Sequence, residues 1–354
     1  MHKNIVHVVG TGTIGEPLIG LLANFREAFG IDEITFHKRT PLVTDRSKVL
    51  ALVGHGAKLC VDKANWRAFN DLGMEPCYES EEAIERAKVV IDCTPAGNEN
   101  KAKYYNRYAT NGCGFIAQGS EFGFGKMYAH GINDKILDRE TDRFVQVVSC
   151  NTHNLAAVID AVALGPEKQD GLQEARFVCM RRANDLSEDG AFIAAPEAGK
   201  HDDRRFGTHQ ARDAHYLFKT LGLDLNIFSS ALKLNTQYMH MIHFNLLLRR
   251  PTSLKDVIHR ISANPRIALT NKKSSASVFS FGRDHGLFGR ILNQTVVALQ
   301  SLTLRGDREL VGMCFTPQDG NSLMSSIAAA LWFLDAGSYK QRLAALGDYC
   351  FQEI

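Results

Sequence analysis

Cysteine pairs at metal-ligand spacing, blocks of one charge and long apolar runs are all missing from this 354-residue sequence. Its eight cysteines, at positions 60, 77, 93, 113, 150, 179, 314 and 350, include no C-x-x-C pair. That argues against a zinc ribbon and a disulfide framework, and suits the reduced thiols of a cytoplasmic protein. The formal net charge is only +2, so neither a nucleic acid nor an acidic membrane surface is expected as a partner. No apolar run approaches the ~20 residues of a bilayer span. The opening stretch MHKNIVHVVGTG reads as a strand entering a glycine turn, not as a secretory signal. Internal repeats and low-complexity segments are absent too. The segment richest in histidine and charge, KHDDRRFGTHQARDAH from Lys200 to His215, alternates its signs at irregular spacing. It reads as a polar loop, and no metal site is expected.

What is present is an apolar content of 45%, ample for buried cores, in a chain long enough for about two domains. Asn4 to Val9 is a short apolar run leading into Gly10-Thr11-Gly12-Thr13-Ile14-Gly15, and Pro17 to Ala28 then has helical periodicity. G-x-G-x-x-G between a strand and a helix is a dinucleotide-binding arrangement. Gly10 permits the tight turn, Gly12 lets the pyrophosphate approach the backbone, and Gly15 lets the helix pack on the strand. The helix N-terminus then offers free N–H groups to the phosphates. A second strand, Glu33 to His37, is followed by Lys38-Arg39-Thr40-Pro41 rather than by an acidic residue. Cations with a hydroxyl favour a ribose 2′-phosphate, hence NADP or use of both NADP and NAD, whereas a solvated basic loop is the plainer alternative. Lys88 to Cys93 and Gly114 to Ala117 read as further buried strands, followed by Thr94-Pro95-Ala96-Gly97 and Gln118-Gly119-Ser120-Glu121. Cofactors lie over the carboxyl ends of parallel strands, so Thr94, Pro95, Gly119 and Ser120 become candidate contacts. The alternation of strands and helices to residue 148 predicts an α/β fold with a Rossmann-like, doubly wound parallel sheet.

Beyond Cys150 the pattern changes. Ala175 to Met180 and Leu310 to Phe315 read as strands between long polar loops, with helices at Ser253 to Ile261 and Asn321 to Leu334. An α+β mixed-sheet domain follows from this order. Cys150 sits where a β-branched run ending at Val148 meets the helical spacing of Asn154 to Ala163. A thiol at a helix N-terminus is favoured as thiolate by free amides and the helix dipole. Spacing alone leaves both a nucleophile and an ordinary core cysteine open. A nucleophile needs a partner close in space, and the candidates are His240 and His243. Arg181 and Arg182 either hold an anionic substrate through forked donors or form an exposed pair neutralised by Asp185 and Glu188.

Taken in order, GTGTIG at 10–15, HKRTP at 37–41, DCTPAG at 92–97, IAQGSE at 116–121, VVSCNT at 147–152, MRRA at 180–183, THQARD at 208–213 and MH at 239–240 resemble the archaeal-type (type II) glyceraldehyde-3-phosphate dehydrogenase family. The resemblance runs from the first strand to about Leu334, and the chain is identified as a divergent member. It implies a phosphorylating, NAD(P)-linked aldehyde oxidoreductase with NADP preferred. Cys150 would attack the aldehyde, His240 would act as base, and inorganic phosphate would release a thioester. It also implies that Ser149, Asn151 and Thr152 lie at the substrate, and His209 and Gln210 at its phosphate. Thr13, Ile14, Ser120 and Arg181 would contact the cofactor, Lys38 and Thr40, beside Arg39, its 2′-phosphate, and Gln318 and Asn321 its carboxamide. The final helix would pack back, giving a dinucleotide-binding domain of 1–149 with 320–354 and a catalytic domain of 150–319. A homo-oligomer, dimer or tetramer, is expected, with Met241 to Leu248 as a stretch that a partner covers.

The sequence departs from the family where anions or cofactor would bind. Asn-Thr-Thr-Gly becomes Asn151-Thr152-His153-Asn154, Gln210 replaces a second histidine, and Ser120 replaces a glycine. Cys150 and His240 are kept. An imidazole at His153, with Arg182, would suit a carboxylate or another phosphorylated aldehyde. The alternatives are therefore a semialdehyde dehydrogenase of the aspartate-semialdehyde type and a non-catalytic nucleotide-binding homologue.

Overall fold

The computed structural model describes residues 3–119, 121–185, 190, 192–317 and 319–354, with the backbone alone at Asn111. It forms two compact units. One comprises Met1–Lys126, Leu137–Val147 and Leu323–Gly347, the other Met127–Ile136, Val148–Ser322 and Asp348–Ile354.

Strands β1 (Ile5–Val9), β2 (Glu33–His37), β3 (Lys58–Val61), β4 (Tyr78–Glu79), β5 (Val89–Asp92), β6 (Gly114–Gln118), β7 (Lys126–Tyr128) and β8 (Phe144–Val147) form one sheet in the order β4-β3-β2-β1-β5-β6-β8-β7. The pairings from β4 to β8 are parallel. Strands covered on both faces read as continuous apolar runs, and all five residues of β1, IVHVV, are buried. His7 is the exception in that run, and its Nδ1 pairs with Thr35 Oγ1 at 2.7 Å. Burial pushes its pKa down to about 3, so it is neutral. Sequence order reverses at β1, with β2 on one side and β5 on the other. The loops leaving β1 and β5 therefore diverge and open a crevice at the carboxyl ends of the strands. The helix expected from Pro17 to Ala28 begins earlier, at Gly15, and gives way at Phe25 to a short turn of helix, Arg26–Phe29.

The second sheet is mixed. It contains β9 (Leu172–Arg181), β10 (Glu197–Ala198), β11 (Ile227–Lys233), β12 (Met241–Leu248), β13 (Ile267–Thr270), β14 (Thr295–Ala298), β15 (Thr303–Arg305) and β16 (Glu309–Phe315). The order is β10-β11-β9-β12-β16-β14-β13, with β15 on β16. Burial along β12 alternates, as a period of two requires. Ile242, Phe244, Leu246 and Leu248 are buried while Met241, His243, Asn245 and Leu247 are half-exposed. One whole face of Met241–Leu248 thus belongs to the core, where Phe244 and Phe177 pack in one cluster with Leu155 and Ile159 of the Cys150–Ile159 helix and Phe218 of the His209–Lys219 helix. Among the described residues no helix is long and apolar enough to cross a membrane.

Candidate active site

In the first unit, a cleft of about 890 Å³ opens over the carboxyl ends of β1 and β5, lined among others by Gly10, Thr11, Lys38, Arg39, Thr40 and Thr94. Gly10 has φ +96°, a region that favours glycine, and a Cβ on Gly15 would lie 2.1 Å from the Gly10 carbonyl oxygen. At Gly12 nothing lies within 4 Å of the Cβ position, so backbone is open to a ligand there. Thr13 and Ile14 complete the turn, and the Gly15–Asn24 helix starts behind them. This glycine cradle fits a pyrophosphate. Lys38 is not a free cation, since its Nζ pairs with Asp45 Oδ2 at 2.6 Å, and Lys48 binds the other oxygen of the same carboxylate at 3.2 Å. Arg39 and Thr40 are exposed. Thr94 is turned onto Asp92, donating through Oγ1 at 2.6 Å, whereas Pro95 is exposed and Gly119 holds φ +75°. Ser120 and Gln318, like Glu188, lie outside the described residues.

In the second unit, Cys150 is the first residue of the Cys150–Ile159 helix, and Ser149 caps it, accepting from the Thr152 N–H at 3.3 Å. Ser149 and Thr152 also share a hydroxyl bond of 2.8 Å, with Thr152 fully buried. Asn151 is held by the Thr316 hydroxyl, which donates to its Oδ1 at 3.0 Å. Thr316 in turn donates its N–H to the His240 carbonyl at 3.0 Å, so one residue ties the start of the helix to His240. The thiol departs from expectation. It is half-buried, and burial together with the Asp319 carboxylate pushes its pKa up to about 12 against the smaller opposing pull of Arg182. Desolvation outweighs the helix terminus here.

His240 is 8% exposed, and its Nδ1 accepts the backbone N–H of Arg182 at 3.0 Å. Burial, then Arg182 and Arg181, push its pKa down to about 3. A neutral imidazole whose Nδ1 accepts carries its hydrogen on Nε2. The residue expected as a base therefore presents a donor. Arg182 is only 4% exposed, so it is not the solvated pair that remained open for Arg181 and Arg182. Its Nη2 reaches Asp185 at 2.7 Å and lies 4.0 Å from Asp319, while Nε and Nη1 are buried without a hydrogen-bond partner. Buried donors are seldom left unpaired, and two unused donors on one guanidinium suit an anion.

Other expected residues take different roles. The His153 ring is fully buried, its Nδ1 3.0 Å from the Ser149 carbonyl, and burial holds its pKa down to about 4. It is an uncharged brace for the cap. Both amide hydrogens of Asn321 are engaged, on the carbonyls of Cys150 at 2.9 Å and Gln294 at 3.0 Å, which leaves neither for a carboxamide. Gln210 is buried and accepts from the Thr208 hydroxyl at 2.5 Å. His209 is half-buried, and burial with the charges of Arg181 and Arg212 pushes its pKa down to about 4, so Arg181 shares its surroundings. Sequence reading passed over Asp45 and Asp319. Asp45 follows the cation-rich HKRTP, a signal too common to single it out, and nothing near Asp319 in sequence marks it.

On the same His209–Lys219 helix, burial raises the pKa of Asp213 to about 6 despite its pairing with Arg212 at 2.9 Å, and Asp213 Oδ2 has no partner. A carboxyl whose folded-state pKa is raised contributes stability below its unfolded value near 3.8 that is lost as pH climbs through about 6. Two units correspond to about 3 kcal/mol. Asp213→Asn should thus flatten the fall in unfolding free energy between pH 4.5 and 7.5, measured by urea titration, by about 2 kcal/mol, the part of that difference lost in this window. Parallel curves for the two proteins would refute the assignment.

No family model matches the chain. It is 29% identical over 323 residues to glyceraldehyde-3-phosphate dehydrogenase 1 of Methanosarcina barkeri, covering 88% of this chain and 86% of the relative. The glyceraldehyde-3-phosphate dehydrogenase of Sulfolobus acidocaldarius is 26% identical over 318 residues, 87% of this chain and 85% of its own length. Glyceraldehyde-3-phosphate dehydrogenase 2 of Methanosarcina acetivorans is 29% identical over 293 residues, 80% of each. The likeness spans most of both chains each time, and the chain is a divergent relative of the archaeal-type glyceraldehyde-3-phosphate dehydrogenases.

Proposed function

We propose that the chain is an NAD(P)-linked aldehyde dehydrogenase of the glyceraldehyde-3-phosphate type, phosphorylating and NADP-preferring, in which Cys150 is the nucleophile. The first unit is the dinucleotide-binding domain and the second carries the chemistry. The observation that carries this reading is the capped cysteine at a helix start, in one unit with a neutral His240 and an Arg182 that has two unused donors. When bound, the dinucleotide supplies the hydride acceptor. Gly10, Gly12 and Gly15 would hold its pyrophosphate, with Thr13 and Ile14 on the same turn. Within the second unit, Cys150 Sγ adds to the aldehyde carbon, and His240 Nε2–H donates to the carbonyl oxygen as negative charge develops there. Loss of hydride to the bound dinucleotide would leave a thioester on Sγ, and attack of inorganic phosphate on its carbonyl carbon would break the C–Sγ bond, giving an acyl phosphate and returning the Cys150 thiolate. His209 and Arg181 share surroundings that suit a substrate phosphate.

The test is an assay of the purified protein with glyceraldehyde 3-phosphate and NADP or NAD, with and without phosphate. Phosphate-dependent cofactor reduction is expected, and no turnover under any of these conditions would overturn the reading. A second reading, the same chemistry on a carboxylated aldehyde, is favoured by the two unused Arg182 donors, each of which can take one carboxylate oxygen. Turnover of aspartate semialdehyde in preference to the phosphorylated aldehyde would select it. Because Lys38 is engaged by Asp45, the 2′-phosphate falls to Arg39. Arg39→Ala should raise KM for NADP about 10-fold or more, the worth of a charged hydrogen bond, while leaving NAD unaffected. Equal losses with both cofactors would remove Arg39 from that role.

A further inference from the structure

Just past the carboxyl end of β2, four charged groups gather beside the cleft of the first unit. Lys38 lines that cleft together with Gly10, Arg39 and Thr40. Its ammonium lies 2.6 Å from Asp45 Oδ2, while Lys48 Nζ lies 3.2 Å from Asp45 Oδ1. Lys48 also donates to the Thr11 carbonyl of the glycine turn at 3.3 Å and lies 3.7 Å from Glu16 Oε2. Two ammonium groups thus face two carboxylates, and this corner carries no net charge. Asp45 occupies the N-cap position of the Arg46–Gly54 helix, where an aspartate ordinarily accepts a backbone N–H. It makes no such side-chain bond. Both of its oxygens go to lysines instead, so capping does not account for the carboxylate. Against the cost of burial, the lysines hold its pKa below the ordinary value, and it is charged at neutral pH. The Lys38 and Asp45 side chains are only 10% and 20% exposed, so bulk salt screens the pair weakly.

We propose that Asp45 is a specificity-determining residue, which withholds Lys38 from a ribose 2′-phosphate so that selection of NADP over NAD rests on Arg39 and stays modest. The ribose of a dinucleotide lies at the end of the second strand in sheets of this kind. A 2′-phosphate there has to compete with a carboxylate that already holds the ammonium. NAD carries a hydroxyl at the same place and makes no such demand. In sites that select NAD, the acidic residue reaches the ribose itself. Here the strand end carries cations, and the acid comes seven residues after Lys38 and acts through it. The inference rests on the cleft being the dinucleotide site, and it concerns binding rather than turnover.

Dissociation constants of NADP and NAD are measured by isothermal titration calorimetry on the purified protein, with no aldehyde present. The comparison is between wild type, Asp45→Asn, Asp45→Glu, Lys38→Met and the double variant Lys38→Met with Asp45→Asn. Asp45→Asn should tighten NADP by about 10-fold or more, the worth of a charged hydrogen bond gained by the phosphate, and leave NAD as in wild type. Asp45→Glu keeps the anion and should stay near the wild-type ratio of the two constants. In the Lys38→Met background Asp45→Asn should bring little gain, because no ammonium is left to release. An Asp45→Asn protein with the wild-type ratio overturns the proposal. So does weaker NADP binding, which would make the carboxylate a brace that holds Lys38 for the phosphate. A gain that persists in full without Lys38 would reduce Asp45 to a repelling charge and overturn it too. Should Asp45→Asn fail to fold, Asp45→Ser, whose hydroxyl suits a helix N-cap, is read in the same way. Binding of neither dinucleotide to wild type would overturn the reading of the cleft and the role of Asp45 with it. The expected ratios in a protein that oxidises no aldehyde would leave Asp45 in its role and overturn the proposed activity instead.

Discussion

Cys150→Ser should abolish aldehyde oxidation, with kcat/KM falling by on the order of 10⁴-fold or more, while the dinucleotide binds as in wild type. The hydroxyl sits at the same capped helix start, but it is a far weaker nucleophile than sulfur. The buried state of the thiol sharpens the expectation. With its pKa pushed up to about 12 by burial, the thiol is the resting form at pH 7. A Cys150→Ser protein that retains turnover would remove the cysteine from the mechanism. One that loses cofactor binding as well would show that the substitution had reached beyond the thiol.

Loss of Arg182 should cost the most stability. Its guanidinium is 2% exposed and is the nearest cation to Asp319, which is itself buried. Removing one partner of a buried ion pair leaves an uncompensated charge and costs about 3–5 kcal/mol. Arg182→Met should therefore lower the unfolding free energy at pH 7.5 by about that much, a large share of a typical domain's 5–15 kcal/mol. The pH dependence carries the sign. The folded-state pKa of Asp319 already lies above its ordinary value because burial disfavours the charge. Without Arg182 it rises further, so the deficit shrinks toward low pH, where the carboxyl is neutral in both states, and grows as pH climbs through the folded-state pKa. Denaturant titrations at pH 4.5 and 7.5 read this directly, and an equal deficit at both would mean that lost packing dominates. Arg182→Lys should recover part of the stability, since it keeps a charge without the fork.

These predictions draw on parts of the molecule that differ in how far the sequence exposed them. The parallel strand Ile5–Val9 was legible because burial on both faces leaves a run that is apolar but for His7, and Glu33–His37 by its β-branched and aromatic centre. The glycine turn was legible because two of its positions have no room for a side chain or no tolerance for one. Cys150 announced itself by its place at a strand-to-helix seam. What lay hidden depends on partners distant in sequence. The tautomer of His240 is set by an N–H 58 positions away, and the engagement of Asn321 by a carbonyl 171 positions away. His153 looked like a possible anion ligand because local sequence does not reveal that every residue after Cys150 in its helix is buried. Lys38 looked free because its neutralising Asp45 belongs to the following turn.

The bond that fixes His240 has an evolutionary corollary. Its donor is a main-chain group, so nineteen of the twenty residues at position 182 supply it equally, and only proline removes it. The imidazole's hydrogen stays on Nε2 whatever side chain stands beside it, while the guanidinium at the same position can be exchanged only at a cost in stability. Proton placement and ion pairing are thereby encoded at one position in two separable chemical layers, one in the main chain and one in the side chain.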